Sequence, residues 1–200
     1  MTYATHRVFA VGWVLLGGML LYNLGVTQVN YYLAMIIMLQ AGKYGALFPD
    51  IDHSWENVKE KTVPNLIINK IIHLTGGKHR SWQTHSIDIA LIVSLISCKL
   101  PNYLYEKQIL TLVNKEVLSI LMIGFSIGWL SHIVSDMLTS TGVRITFLNK
   151  KKIALVPKQL FGLRFNTGHE WEGFVYSVTK GLNIVIGIAA ILYPYLIGKI

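Results

Sequence analysis

Charge is scarce in this sequence, and acid is scarcer than base. Only 14% of its 200 residues are Asp, Glu, Lys or Arg, against roughly a quarter in a soluble domain. Ten acids face eighteen bases, for a formal net charge of +8. Cysteine is nearly missing. Cys98 alone excludes an intrachain disulfide and a thiolate metal cage, and it reads as a small apolar residue. Internal repeats and low-complexity tracts are absent as well.

What replaces the charge is apolar length, since 52% of the residues are hydrophobic. A membrane helix needs about 20 apolar residues, and residues 7–25, 29–48, 116–138 and 174–197 supply them. Residues 86–100 form a shorter fifth run that carries Asp88. A soluble helical bundle is disfavoured, because apolar runs in soluble cores alternate with polar faces. The first run follows Arg7 as a secretory signal would, but no Ala-x-Ala-like site follows it, so it reads as a retained helix. The expectation is an all-α membrane protein with about five transmembrane helices, one domain over residues 1–200, and polar loops at 49–85 and 139–173.

Five crossings sort the polar segments onto two sides. One side collects Arg7, Lys59, Lys61, Lys70, Lys78, Arg80, Arg144, Lys150, Lys151, Lys152, Lys158 and Arg164, the other only Lys99, Lys107, Lys115 and Lys199. The excess of positive charge on cytoplasmic loops puts the first side inside the cell, where it meets anionic lipid headgroups. Nucleic acid is not an expected partner, because the bases do not alternate with aromatics in a stacking pattern. On the same side, Thr62-Val63-Pro64 opens and Gly76-Gly77 closes a short apolar-faced helix suited to lying in the interface. Residues 143–148 and 153–156, flanking Asn149-Lys150-Lys151-Lys152, suggest a small hairpin with a basic tip.

The histidines and acids follow the same partition. His6 precedes the first span, Pro49-Asp50-Ile51-Asp52-His53 follows the second, and His79-Arg80 and Thr84-His85-Ser86 precede the third. His132 and Asp136 end the fourth, and Thr167-Gly168-His169-Glu170-Trp171-Glu172 precedes the fifth. All fall on one side, and the other side receives no histidine. Ionisable residues at membrane depth are costly and mark function. His132 and Asp136 stand four apart, on one helical face, able to meet one ion. They continue the stripe Gly124-x-x-x-Gly128, a close-packing motif for membrane helices. Asp50 and Asp52 repel each other unless a cation, a proton or solvent intervenes. Arg80 suits a phosphate clamp and equally a headgroup anchor.

His53, His73, His169 and Asp88 weigh towards structural roles. Asp88 lies three residues after His85 and could orient it or pair with a neighbouring span. Glu172 is open between metal ligand and helix cap. Mixed imidazole and carboxylate donors favour zinc, manganese or iron over calcium, and there are enough for one to three ions.

The segments Phe48-Pro49-Asp50-Ile51-Asp52-His53, His79-Arg80-x-x-Thr84-His85-Ser86 and Gly128-x-x-Ser131-His132-x-x-x-Asp136-x-x-Thr139-x-x-Gly142 resemble the YdjM-like family of bacterial membrane-bound metal-dependent hydrolases. The resemblance runs from about His6 to Glu172. It implies a multi-span protein of the bacterial inner membrane that binds a divalent metal, with roles on His6, Asp50, Asp52, His79, His85, His132 and Asp136. The family's acidic position after Thr-Gly falls on Glu172 rather than Glu170. Asp88 stands where an apolar residue is expected, and Ser54 where proline is usual. A more distant similarity, to zinc-dependent phospholipase C and related nucleases with a His-x-x-x-Asp pair, ranks phosphoesters first among substrates.

The expectation is therefore a hydrolase cleaving a phosphoester of a lipid or membrane-proximal substrate. Asp50 and Arg80 are its catalytic candidates. His6, Asp52, His79, His85, His132, Asp136 and Glu172 are candidate ligands of a divalent metal, zinc first and manganese next, with the roles of Asp50 and Asp52 interchangeable. The competing readings are a metal-binding membrane protein without catalysis and a metal transporter. The largely apolar span centres count against the transporter.

Overall fold

The structure is a computed structural model describing residues 1–25, 29–156, 159–160, 163–164, 168 and 170–198. His169, weighed above, lies outside them. Helices α1 (Tyr3–Asn23), α2 (Tyr31–Gly45), α3 (Val63–Leu74), α4 (Trp82–His85), α5 (Ile87–Glu106), α6 (Leu112–Met137) and α7 (Glu170–Leu196) account for most of the chain. Two 3-10 turns, Pro49–Asp52 and Trp55–Asn57, lie between α2 and α3. Among the described residues α1, α5, α6 and α7 are long and apolar enough to cross a membrane.

Helix α2 is shorter than the apolar run that contains it. It ends at Gly45, because the last residues of the run turn towards Pro49, which opens the following 3-10 turn. At 1.5 Å per residue, its 15 residues reach only about 22 Å. Helix α1 begins earlier than expected, so His6 lies within its first turn instead of ahead of it.

Helix α6 is the spine, packing on α1, α2 and α5. Glycine decides its closest approach. A side chain at Gly128 would collide with the Gly42 carbonyl oxygen, and one at Gly45 with that of Phe125. At Gly124 an added Cβ would stand 2.7 Å from the Met38 carbonyl oxygen. The expected small-residue stripe thus meets a second one on α2. Val14, Ala34, Met38 and Ile120 fill the middle of this contact. Helix α7 packs on α1, fixed by Asn183 Nδ2 donating to the Val8 carbonyl at 2.7 Å, and turns Leu182, Val185, Ile188 and Ile191 outward. Exposed apolar side chains on such helices suit lipid contact, and buried amides join helices where water is absent.

Helix α3 forms as its boundary residues dictate. Thr62 caps it, its side chain accepting from Asn65 N at 3.3 Å, Pro64 sits in the first turn, and Gly76 follows at φ 78°. Val63, Ile67, Ile71 and Leu74 line its exposed side, while Asn65, Asn69 and Ile72 are buried.

The hairpin is present with two-residue strands, β1 (Val143–Arg144) and β2 (Lys152–Ile153), antiparallel with Val143 opposite Ile153. A second ribbon, β3 (Gln159–Leu160) against β4 (Leu163–Arg164), was not anticipated. Asp88 secures the first hairpin. Its Oδ2 accepts from Phe147 N at 2.9 Å, so it orients a loop and not His85.

Candidate metal centre

Five chain segments deliver side chains to one end of the bundle. These are the start of α1, the turn after α2, the stretch from His79 through α4, the last turns of α6 and, beside the cluster and not in it, the start of α7. Burial there is nearly complete for polar groups. His6, Asp52, His85, His132 and Asp136 are each at most 1% exposed, and Asp50 is 6% exposed.

The imidazoles are turned outward-in by their Nδ1 atoms. His132 Nδ1 lies 2.7 Å from the Ala46 carbonyl, which can only accept. Ser135 Oγ donates its one proton to the His132 carbonyl at 2.8 Å, so it accepts from His6 Nδ1 at 2.7 Å. Thr84 Oγ1 donates to Asp52 Oδ2 at 2.6 Å, and His85 Nδ1 donates to the same carboxylate oxygen at 3.1 Å. In each ring the proton of a neutral imidazole is therefore at Nδ1, and Nε2 presents a lone pair.

Those lone pairs converge. His132 Nε2 is 3.2 Å from His85 Nε2 and 3.7 Å from Asp136 Oδ2. His85 Nε2 is 3.8 Å from Asp136 Oδ2, and His6 Nε2 is 3.6 Å from Asp136 Oδ1. Asp50 Oδ1 lies 3.8 Å from His85 Nε2 and 3.9 Å from His132 Nε2. Two donors at 2.0–2.1 Å from one tetrahedral zinc stand about 3.3–3.4 Å apart. Spacings of 3.2–3.9 Å are thus near those of shared ligands, and most are too long for hydrogen bonds. Five ligand groups face one another, a crowding that a bound cation would relieve and that positive charge on His85 relieves without one.

The field at the site favours positive charge there. Burial would raise the Asp50 carboxyl, but His132, then His85 and His6, hold it well below the carboxylate range. Burial likewise opposes ionisation of Asp52, yet hydrogen bonds from His79, His85 and Thr84 keep it far below that range. His85, which burial would discharge, is instead raised to about 9 by Asp50 and Asp52. Arg80 Nη2 lies 3.2 Å from Asp136 Oδ1 and its Nη1 bonds Thr141 Oγ1. The Met1 amino nitrogen contacts the same Asp136 oxygen at 2.6 Å. Arg80 holds this position at φ 60°, a conformation side chains rarely adopt and one that concentrates at functional sites.

Among the described residues three groups of side chains could hold an ion: His6, His132 and Asp136; Asp50, His85 and His132; and Asp50, His53 and His79. His6, His79, His85, His132 and Asp136 of the expected ligands are thus brought together, and Asp50 joins them. Asp52 does not. Its oxygens accept from His79, His85, Thr84 and the Ser81 backbone, so it orients imidazoles. Glu172 does not either, being occupied by Thr2 N, Thr5 Oγ1 and Gly168 N. It ties the start of α7 to the start of α1.

Sequence reasoning passed over His53, which reaches the site beside His79. The carboxylate pair immediately before it was the available signal. It also passed over Ser135 and Asn69. Asn69 Nδ2 donates to the carbonyls of Ile51 and His53 at 2.5 and 2.8 Å, clamping the Asp50 turn onto α3. Nothing in the spacing of α3 distinguishes that asparagine from a solvent-facing one.

Comparison with known proteins agrees with the membrane architecture. The chain is 28% identical over 131 residues to the uncharacterized protein YvsG of Bacillus subtilis (strain 168), a match covering 64% of this chain and 69% of the relative. No solved structure matches. The match to YdjM inner membrane protein extends over residues 1–197, nearly the whole described fold with its histidine and aspartate cluster, and the chain belongs to that family.

Proposed function

We propose that the chain is a membrane-bound, metal-dependent hydrolase that cleaves a phosphoester of a lipid or membrane-proximal substrate. One observation carries the reading: the Nε2 atoms of His6, His85 and His132 face the carboxylates of Asp50 and Asp136 with every Nδ1 engaged behind them. His6, His85, His132 and Asp136 would hold a divalent ion, and this donor set suits zinc first and manganese next. Such an ion, when bound, supplies Lewis acidity and lowers the pKa of a coordinated water.

The chain's own residues do the rest. Asp52 fixes the orientation of His79 and His85. Arg80, at the rim of the cluster, offers a planar cation to an anionic phosphate. Asp50 lies between the buried imidazoles and the more exposed His53 and His79, where it meets either an ion or the proton of an attacking water. The excess of Lys and Arg on the loops at this end favours the cytoplasmic side of the inner membrane.

A transport role draws no support from the interior, since the helix contact beyond the cluster is filled by Val14, Ala34, Met38 and Ile120. Metal binding without catalysis is separated by experiment. Detergent-purified protein is assayed for metal by mass spectrometry and for headgroup release across a phospholipid panel. The reading expects bound metal and turnover, both lost in His132→Ala and Asp136→Ala. Bound metal without turnover on any phosphoester would reduce the protein to a metal binder, and metal retained by both variants would refute the site.

A further inference from the structure

The buried cluster does not account for His53 and His79. Their side chains are 27% and 40% exposed, yet the protein holds both with care. The rings stack at 3.6 Å between centroids and 22° between planes. The His53 carbonyl is gripped by Asn69 Nδ2 at 2.8 Å and lies 3.2 Å from His73 Nε2. A solvent-facing histidine pair with no task needs none of this.

We propose that Asp50, His53 and His79 form a second metal site, outward of the buried one and sharing Asp50 with it, that takes an exchangeable divalent transition ion. The proposal rests on the buried cluster being a metal centre. Four observations support it. The ligand atoms of the three residues lie within 4.8 Å of one another, and His53 Nε2 is 3.8 Å from Asp50 Oδ1. Asp50 Oδ1 is equally 3.8 Å from His85 Nε2 on the buried side, so this carboxylate stands between two sets of imidazoles. A carboxylate so placed can join ions of a two-metal site, which stand about 3.5–4 Å apart.

The third observation is Asp52. Its Oδ2 meets His85 Nδ1 at 3.1 Å and its Oδ1 meets His79 Nδ1 at 3.2 Å. A carboxylate behind a ligating histidine is the usual device for setting its orientation and basicity. Here one buried carboxylate applies it, through its two oxygens, to one histidine of each set. His79 is thereby treated like His85, its Nε2 left for a ligand. The fourth is number. His6, His85, His132, Asp136, Asp50, His53 and His79 are too many donors for one tetrahedral zinc, and they divide at Asp50. Because the inner set is buried and the outer set is half open to solvent, the two ions differ in exchange. The inner ion is retained, and the outer ion comes and goes at the face where a phosphate would arrive.

The test counts ions. Detergent-purified full-length protein is loaded with Mn2+ or Zn2+ and desalted, and metal per chain is measured before and after a short exposure to chelator. Wild type should hold two ions and fall to one with chelator. His53→Ala/His79→Ala should hold one from the start, with unchanged helical circular dichroism. In wild type loaded with Mn2+, electron paramagnetic resonance should show a spin-coupled pair that the double variant lacks. One ion in both proteins, or two in both, overturns the outer site and leaves the buried centre standing. No ion in wild type removes both readings together.

Discussion

At the scale of single residues, the centre depends less on which side chains could bind an ion than on what stands behind them. Ser135, the Ala46 carbonyl and Asp52 each accept a hydrogen bond from an Nδ1–H and so turn an Nε2 towards the site. Losing such a backing group usually lowers metal affinity 10–100-fold. Asp52→Asn keeps the volume but loses a carboxylate that serves both His79 and His85, so its affinity in a competition titration against a chromophoric chelator should fall by that range. Affinity equal to wild type would mean that Asp52 plays no orienting part.

This is also the scale at which sequence was least informative. The positions of His6, Asp50, His79, His85, His132 and Asp136 relative to the apolar runs were enough to bring them to one end. The division of labour between Asp50 and Asp52 was not legible, because two acids one residue apart look alike until the turn of Pro49–Asp52 points them differently. Asp52 proves fully occupied by donors, and Asp50 faces the imidazoles. Glu172 was ambiguous for the same reason, and its partners at Thr2, Thr5 and Gly168 favour the cap.

At the scale of elements, the α2–α6 contact sets the geometry. The Gly128 face lets the backbones approach closely enough for His132 Nδ1 to reach the Ala46 carbonyl one turn later. Gly128→Ala would press a methyl group into the Gly42 backbone, which has no side chain to move aside. The expected cost is about 1–3 kcal/mol, read as a lower melting temperature in detergent together with weaker metal binding. Gly181→Ala in α7, where nothing lies within 4 Å, serves as the control and should be close to neutral. Equal effects of the two substitutions would deny the close contact its role. The Gly124-x-x-x-Gly128 stripe announced this face in the sequence, whereas its partners Gly42 and Gly45 carried no spacing signal of their own. The early end of α2 was hidden because hydropathy counts apolar residues and does not see the chain turning before Pro49.

At the scale of the whole molecule, the architecture gathers polar groups at one end of a bundle whose flanks are apolar. The sidedness proposed from the basic loops can be measured. In a Cys98→Ser background, Lys107→Cys lies at the end of α5 away from the cluster, and Lys150→Cys lies at the hairpin near it. A membrane-impermeant maleimide applied to intact cells with a permeabilised outer membrane should label Lys107→Cys directly and Lys150→Cys only after lysis. The reverse pattern would turn the centre to the periplasm.

The central claim is that the imidazole Nε2 atoms and carboxylates at this end enclose a metal ion. X-ray absorption at the zinc edge of purified, zinc-loaded protein tests it most directly. The account expects a shell of nitrogen and oxygen at about 2.0–2.1 Å with imidazole scattering beyond it and no sulfur near 2.3 Å. Folded protein that takes up no zinc, or a zinc shell without imidazole, would contradict it.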